Sequence, residues 1–130
     1  RMMLDNLPVE IYDALYQLGL TANYTGFFHI AYAVHLAVQS PQRLRLVTKW
    51  LYPDVAAYYN TTPAAVERNI RLSVARVWSE TPDLLMKLSH TPLSEKPSNA
   101  KFLALLVSQL SHAPSQEGTA AVAGRSCLSG

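Results

Sequence analysis

A chain of 130 residues, 49% hydrophobic and only 15% charged, suits one domain with a modest core and is too apolar to remain disordered as a whole. Its formal net charge of +2 excludes a surface that is basic throughout, so any basic face must be a local patch. One cysteine, Cys127, excludes an intrachain disulfide and a thiolate zinc cluster and points to a reducing compartment, and no apolar run reaches the ~18 residues of a membrane span.

Strand signals are nearly absent, and apolar residues recur at helical spacing along most of the chain, which predicts an all-α fold. Leu7, Ile11, Leu15 and Leu18 form the first stripe, and Gly19 follows as a helix C-terminal signal. Thr25 is the expected N-cap of a second, central helix, with Phe27, Phe28, Ile30, Ala31, Val34 and Val38 as its apolar surface. His29, Tyr32 and His35 interrupt that run, so it reads as a buried helix and not as a membrane segment. Ser40 and Pro41 read as a cap and first helical residue, with Leu44, Val47, Trp50 and Leu51 continuing the helix until Pro53.

A short helix DVAAYY follows, and then Thr62 and Pro63 repeat the start signal for a long helix to about Ser79. A further short helix is expected from Pro82 to Leu88, and HTPLSEKPSN reads as a loop. Ser98 or Asn99 caps a last helix with Phe102, Leu103, Leu106, Val107 and Leu110 as core candidates. The expected organisation is a helical bundle of about six helices over residues 1–112 and a flexible Ala-, Gly- and Ser-rich tail over 113–130. The chain begins with Arg1, which fits a piece of a longer protein.

DVAAYY, NTT and the long helix have the outline of a helix-turn-helix, in which small Ala56 and apolar Val66 suit a close crossing. At ~100° per residue, Val66, Ile70, Ser73, Val74 and Val77 point one way, whereas Ala64, Arg68, Arg71 and Ala75 point the other; Glu67 and Leu72 flank them. Small residues let such a helix approach a groove while arginines reach outward. Arginine can donate two bonds to guanine, glutamate can accept from cytosine, and the free amides at the helix start favour a phosphate. From periodicity alone, the same arginines fit a solvated helix face equally well.

The run TKWLYPDVAAYYNTTPAAVERNIRLSVARVW, with KPSNAKFLALLVSQL downstream, resembles the C-terminal effector domain of the sporulation stage-zero response regulator family of endospore-forming bacteria. The likeness extends from about Ile11 to Leu110, with LYPDVA, NTT, VERNIR and KPSNAKF as its sharpest pieces. It implies a transcription regulator that reads double-stranded DNA with the second helix of a helix-turn-helix. It also implies a homodimer on DNA, contact with the RNA polymerase sigma subunit, and control by an N-terminal receiver domain whose pattern is absent from this chain. Glu67, Arg68 and Arg71 match family positions that face DNA: Arg68 on a base, Glu67 on a base or orienting Arg68, and Arg71 on a base edge or phosphate.

Thr62, Ala64 and Ala65 at the helix start complete the expected DNA-binding set, and Lys49, Lys96 and Lys101 are candidate phosphate contacts beside their ordinary reading as solvated lysines. The family commonly has a polar and then a basic residue where this chain has Ala64 and Ala65, and a histidine where it has Leu72. Those departures put the family's operator preference in question, and Ala64 and Ala65 together with the small net charge leave a second reading open: a protein-interaction module that contacts the RNA polymerase sigma subunit or another regulator, with weakened DNA recognition.

His29, His35, His90 and His112 show no metal-ligand spacing, and no nucleophile, phosphate-loop or zinc-helix motif occurs, so neither an enzyme nor a cofactor or metal site is expected. Tyr52, Tyr58 and Tyr59 suggest base stacking, but at helical spacing they fit core or rim packing better.

Overall fold

The computed structural model describes residues 7–90 and 92–111. Every regular element among them is helical: α1 Val9–Gln17, α2 Thr25–Gln39, a 3-10 turn Pro41–Arg45, α3 Val47–Trp50, α4 Tyr52–Tyr59, α5 Pro63–Glu80, α6 Pro82–Ser89 and α7 Asn99–Ser111. Apart from the single turn of α3, this is the all-α, six-helix arrangement that the periodicity implies. The tail expected over 113–130, with Cys127, and also His112 lie outside the described residues.

α2 runs through the middle of the core. Phe27, Ile30, Ala31 and Val34 are wholly buried on it, and they meet Val66, Ile70, Val74 and Val77 of α5 and Phe102, Leu103 and Leu106 of α7. The crossing with α5 is set by Gly26. A Cβ there would lie 2.1 Å from Ser73 Oγ and 2.6 Å from the Asn69 carbonyl oxygen, so only glycine lets the two backbones approach this closely. Ser73 is polar but buried, and it donates to that same Asn69 carbonyl at 3.0 Å.

Two helix ends are built alike. After α1, Gly19 takes φ 89°, its amide bonds the Tyr16 carbonyl at 3.0 Å, and the Leu20 amide reaches Leu15 at 3.1 Å. After α4, Asn60 takes φ 57°, its amide bonds Ala57 at 3.3 Å, and the Thr61 amide reaches Ala56 at 2.9 Å. Both are Schellman ends, with a residue that tolerates left-handed backbone at the reversal. The second turns the chain sharply from α4 into α5, bringing Ala56 and Val66 into the core together.

Three local expectations need correction. Thr25 is the first residue of α2 and makes no cap bond; the cap position falls on Tyr24, whose backbone is extended as a cap requires. Ser40 likewise forms no cap bond, and Pro41 opens a 3-10 turn, not a helix that continues to Leu51. The break at Leu46 leaves Leu46 and Trp50 exposed while Leu44 and Val47 pack on the core. Arg43 braces this corner by donating to the Trp50 carbonyl at 2.7 Å and pairing with Asp54. Finally, Val38 is exposed although Ala37 beside it is wholly buried, so in its last turn α2 turns Ala37 and not Val38 toward the core.

Candidate nucleic-acid interface

α5 starts where the sequence places it. Thr62 is extended, its Oγ1 accepts the Ala65 amide at 3.1 Å, and Pro63 occupies the first helical position, where no amide is needed. The Ala64 amide has no partner among the described residues, so it is the donor left at the positive end of the helix. The Ala65 amide is already used by the cap, whereas the Thr62 hydroxyl keeps its own proton available for donation.

With Val66, Ile70, Ser73, Val74 and Val77 buried, the opposite face of α5 is solvent-facing. Ala64, Arg68, Arg71 and Leu72 are exposed there, with Ala65 and Ala75 half-buried. Arg68 makes no side-chain hydrogen bond or ion pair among the described residues, so its guanidinium is available in full.

Glu67 does not orient Arg68. Its Oε2 accepts from Arg71 Nε at 3.1 Å, an i,i+4 pair one helical turn long. The bond occupies one edge of Arg71 and leaves its terminal nitrogens for an external acceptor. Toward the end of α5, Arg76 is committed within the chain, pairing with Glu80 at 3.4 Å and lying 4.4 Å over the Tyr24 ring.

The start of α7 is fastened beside this face. Asn99 donates through Nδ2 to the Glu67 backbone carbonyl at 3.2 Å and to the Tyr52 hydroxyl at 3.1 Å, joining α7 to α5 and α4 at one point. Ser98, and not Asn99, supplies the α7 cap, accepting the Lys101 amide at 3.1 Å. Glu67, Arg71, Lys96, Ser98 and Thr48 line a groove of about 360 Å³ above that junction. Lys101 is exposed on the first turn of α7. Lys49 is also exposed but lines a separate groove with Arg43 and Asp54. The structure thus gathers Glu67, Arg71 and Lys96, leaves Arg68 and Ala64 facing outward, and sets Lys49 apart.

Asn99 is the positioning residue that sequence reasoning missed. Its partners lie 32 and 47 residues away, a separation no local pattern reports. The Glu67–Arg71 pair likewise departs from the expectation that Glu67 orients Arg68, although a glutamate four residues before an arginine is a favoured helical order.

The tyrosines near the turn are packing residues. Tyr52 is buried, and its hydroxyl is pushed above its ordinary pKa by burial, with the Asn99 bond opposing. Tyr58 stacks on Tyr32 at 3.9 Å between centroids, and Tyr59 donates to the Phe28 carbonyl at 3.1 Å. Their faces are engaged with one another, which leaves little for base stacking.

No helix among the described residues is long and apolar enough to cross a membrane. The family model described as "Sporulation initiation factor Spo0A C terminal" matches residues 11–110.

Proposed function

The chain belongs to the sporulation initiation factor Spo0A C-terminal family, the DNA-binding effector domains of a sporulation response regulator, and we propose that it reads duplex DNA by seating α5 in the major groove. It is accordingly a transcription-factor domain and not an enzyme. The observation that carries the proposed mode is the solvent-facing side of α5, where an uncommitted Arg68 stands among small residues that let the helix approach.

Arg68 is assigned to a guanine, to whose O6 and N7 a free guanidinium can donate two parallel bonds. Glu67 holds Arg71, whose remaining nitrogens reach a base edge or phosphate. The Ala64 amide and the Thr62 hydroxyl are set to donate to one phosphate at the helix start, where the helix dipole favours the anion. Lys96 and Lys101 extend the positive edge toward the flanking backbone. The Ala64 and Ala65 side chains contribute close approach alone, because neither carries a donor.

By the same reading the chain acts in the bacterial cytoplasm, pairs with a second copy on DNA and meets the RNA polymerase sigma subunit, as the family resemblance implies. The test separates reading from holding. Arg68→Ala should relax discrimination at one base pair by ~1–3 kcal/mol. Lys101→Ala should lower affinity evenly across sequences and reduce the salt slope by about 0.9 for the phosphate lost. A uniform loss in Arg68→Ala, with base preference intact, removes the base-contact assignment.

A further inference from the structure

Leu72 is 46% exposed on the outer face of α5, the large apolar side chain among the arginines and alanines of that face. It stands four residues after Arg68, and so one turn further along the same side of the helix. Nothing in the core needs it, since the buried face is complete with Val66, Ile70, Ser73, Val74 and Val77. The next cation along, Arg76, is occupied by Glu80 and the Tyr24 ring. Leu72 is therefore the outermost uncommitted side chain on the C-terminal half of that face.

A leucine can neither donate nor accept a hydrogen bond, so on a helix seated in the major groove it distinguishes base pairs only by apolar contact. The one apolar group that the major-groove edges present is the thymine 5-methyl. Four residues advance ~6 Å along a helix and one base step rises ~3.4 Å, so Leu72 lies about one or two base steps from the base met by Arg68. We propose that Leu72 is a specificity-determining residue that packs on a thymine methyl beside the base read by Arg68, giving this chain a preference for a T·A pair at that step. The assignment rests on α5 lying in the major groove.

The test begins with selection of a preferred duplex from a randomised library by the full chain. Each thymine of that duplex is then replaced in turn by deoxyuridine, which removes the methyl and leaves every hydrogen-bonding group in place. Binding is measured by fluorescence anisotropy for the parent and for Leu72→Ala, a substitution at an exposed site that spares the core. One uridine should weaken the parent about fourfold, the worth of one buried methyl, and leave Leu72→Ala unaffected. A preferred duplex indifferent to every uridine, one lacking thymine near the Arg68 base, or a loss that persists in Leu72→Ala overturns the role of Leu72 alone. A chain that selects no sequence overturns the major-groove reading together with it.

Discussion

Asn99 donates its side-chain amide to the backbone carbonyl of Glu67 at 3.2 Å, so the N-terminus of α7 is bonded to the turn of α5 that carries Glu67 and Arg68. The same amide reaches the buried Tyr52 hydroxyl. Asn99→Ala should therefore cost ~1–3 kcal/mol in denaturant unfolding, because it leaves a buried hydroxyl without its donor. Tyr52→Phe removes the other partner and should cost less, ~1 kcal/mol. A pair of single variants within ~0.5 kcal/mol of the parent would show that the junction is incidental.

The Thr62 cap is the simplest element to test. Thr62→Ala leaves the Ala65 amide unpaired at the exposed start of α5 and should lower stability by ~1 kcal/mol, whereas Thr62→Ser should be close to neutral. Equal losses in the two variants would assign the effect to the lost methyl and not to the cap.

At Gly26, opposing effects can be ranked. Alanine in place of glycine within a helix normally gains ~1 kcal/mol. Here the added Cβ meets a backbone carbonyl at 2.6 Å, which cannot swing aside as a side-chain tip can. Overpacking of ~1–3 kcal/mol or more should win, so the melting temperature of Gly26→Ala falls. A rise would mean that α2 and α5 separate without loss.

His29 gives the fold an acid limb. It is buried against the Tyr59 ring, its Nδ1 has no partner among the described residues, and burial holds its pKa below the ordinary 6.5. The unfolded chain takes up a proton at its ordinary value while the folded chain resists, so this contribution to stability is complete above pH 6.5. It is lost as pH falls from there toward the folded pKa. His29→Gln should flatten that part of the stability profile, measured by denaturant unfolding between neutral and mildly acidic pH. An unchanged slope would assign the acid sensitivity to other groups.

Elements written in neighbouring residues were legible. Thr62 and Pro63 fix the start of α5, Gly19 the end of α1, and the Val66-to-Val77 stripe the buried face, each through contacts within a turn or two. Ser40 and Pro41 carry the same local signal as Thr62 and Pro63 yet open a 3-10 turn. The Arg43 bonds to the Trp50 carbonyl and Asp54, which bridge seven and eleven residues, brace that corner. The outward face of α5 could be read as a set of positions, but whether Glu67 holds Arg68 or Arg71 depended on side-chain geometry. Asn99 was hidden for the same reason as Gly26: each serves a partner distant in sequence.

Anisotropy titration of this chain decides whether α5 reads base sequence. The probes are a duplex bearing the family's operator box and a scrambled duplex, at several salt concentrations, with Arg68→Ala alongside. Phosphate contacts weaken steeply with salt for both duplexes, whereas base contacts persist for one. The expected result is a preference for the box that survives raised salt in the parent and shrinks in Arg68→Ala. A preference that Arg68→Ala keeps in full, or no binding to either duplex at low salt, would contradict it, whereas equal, salt-sensitive affinity for the two would assign the chain a changed operator.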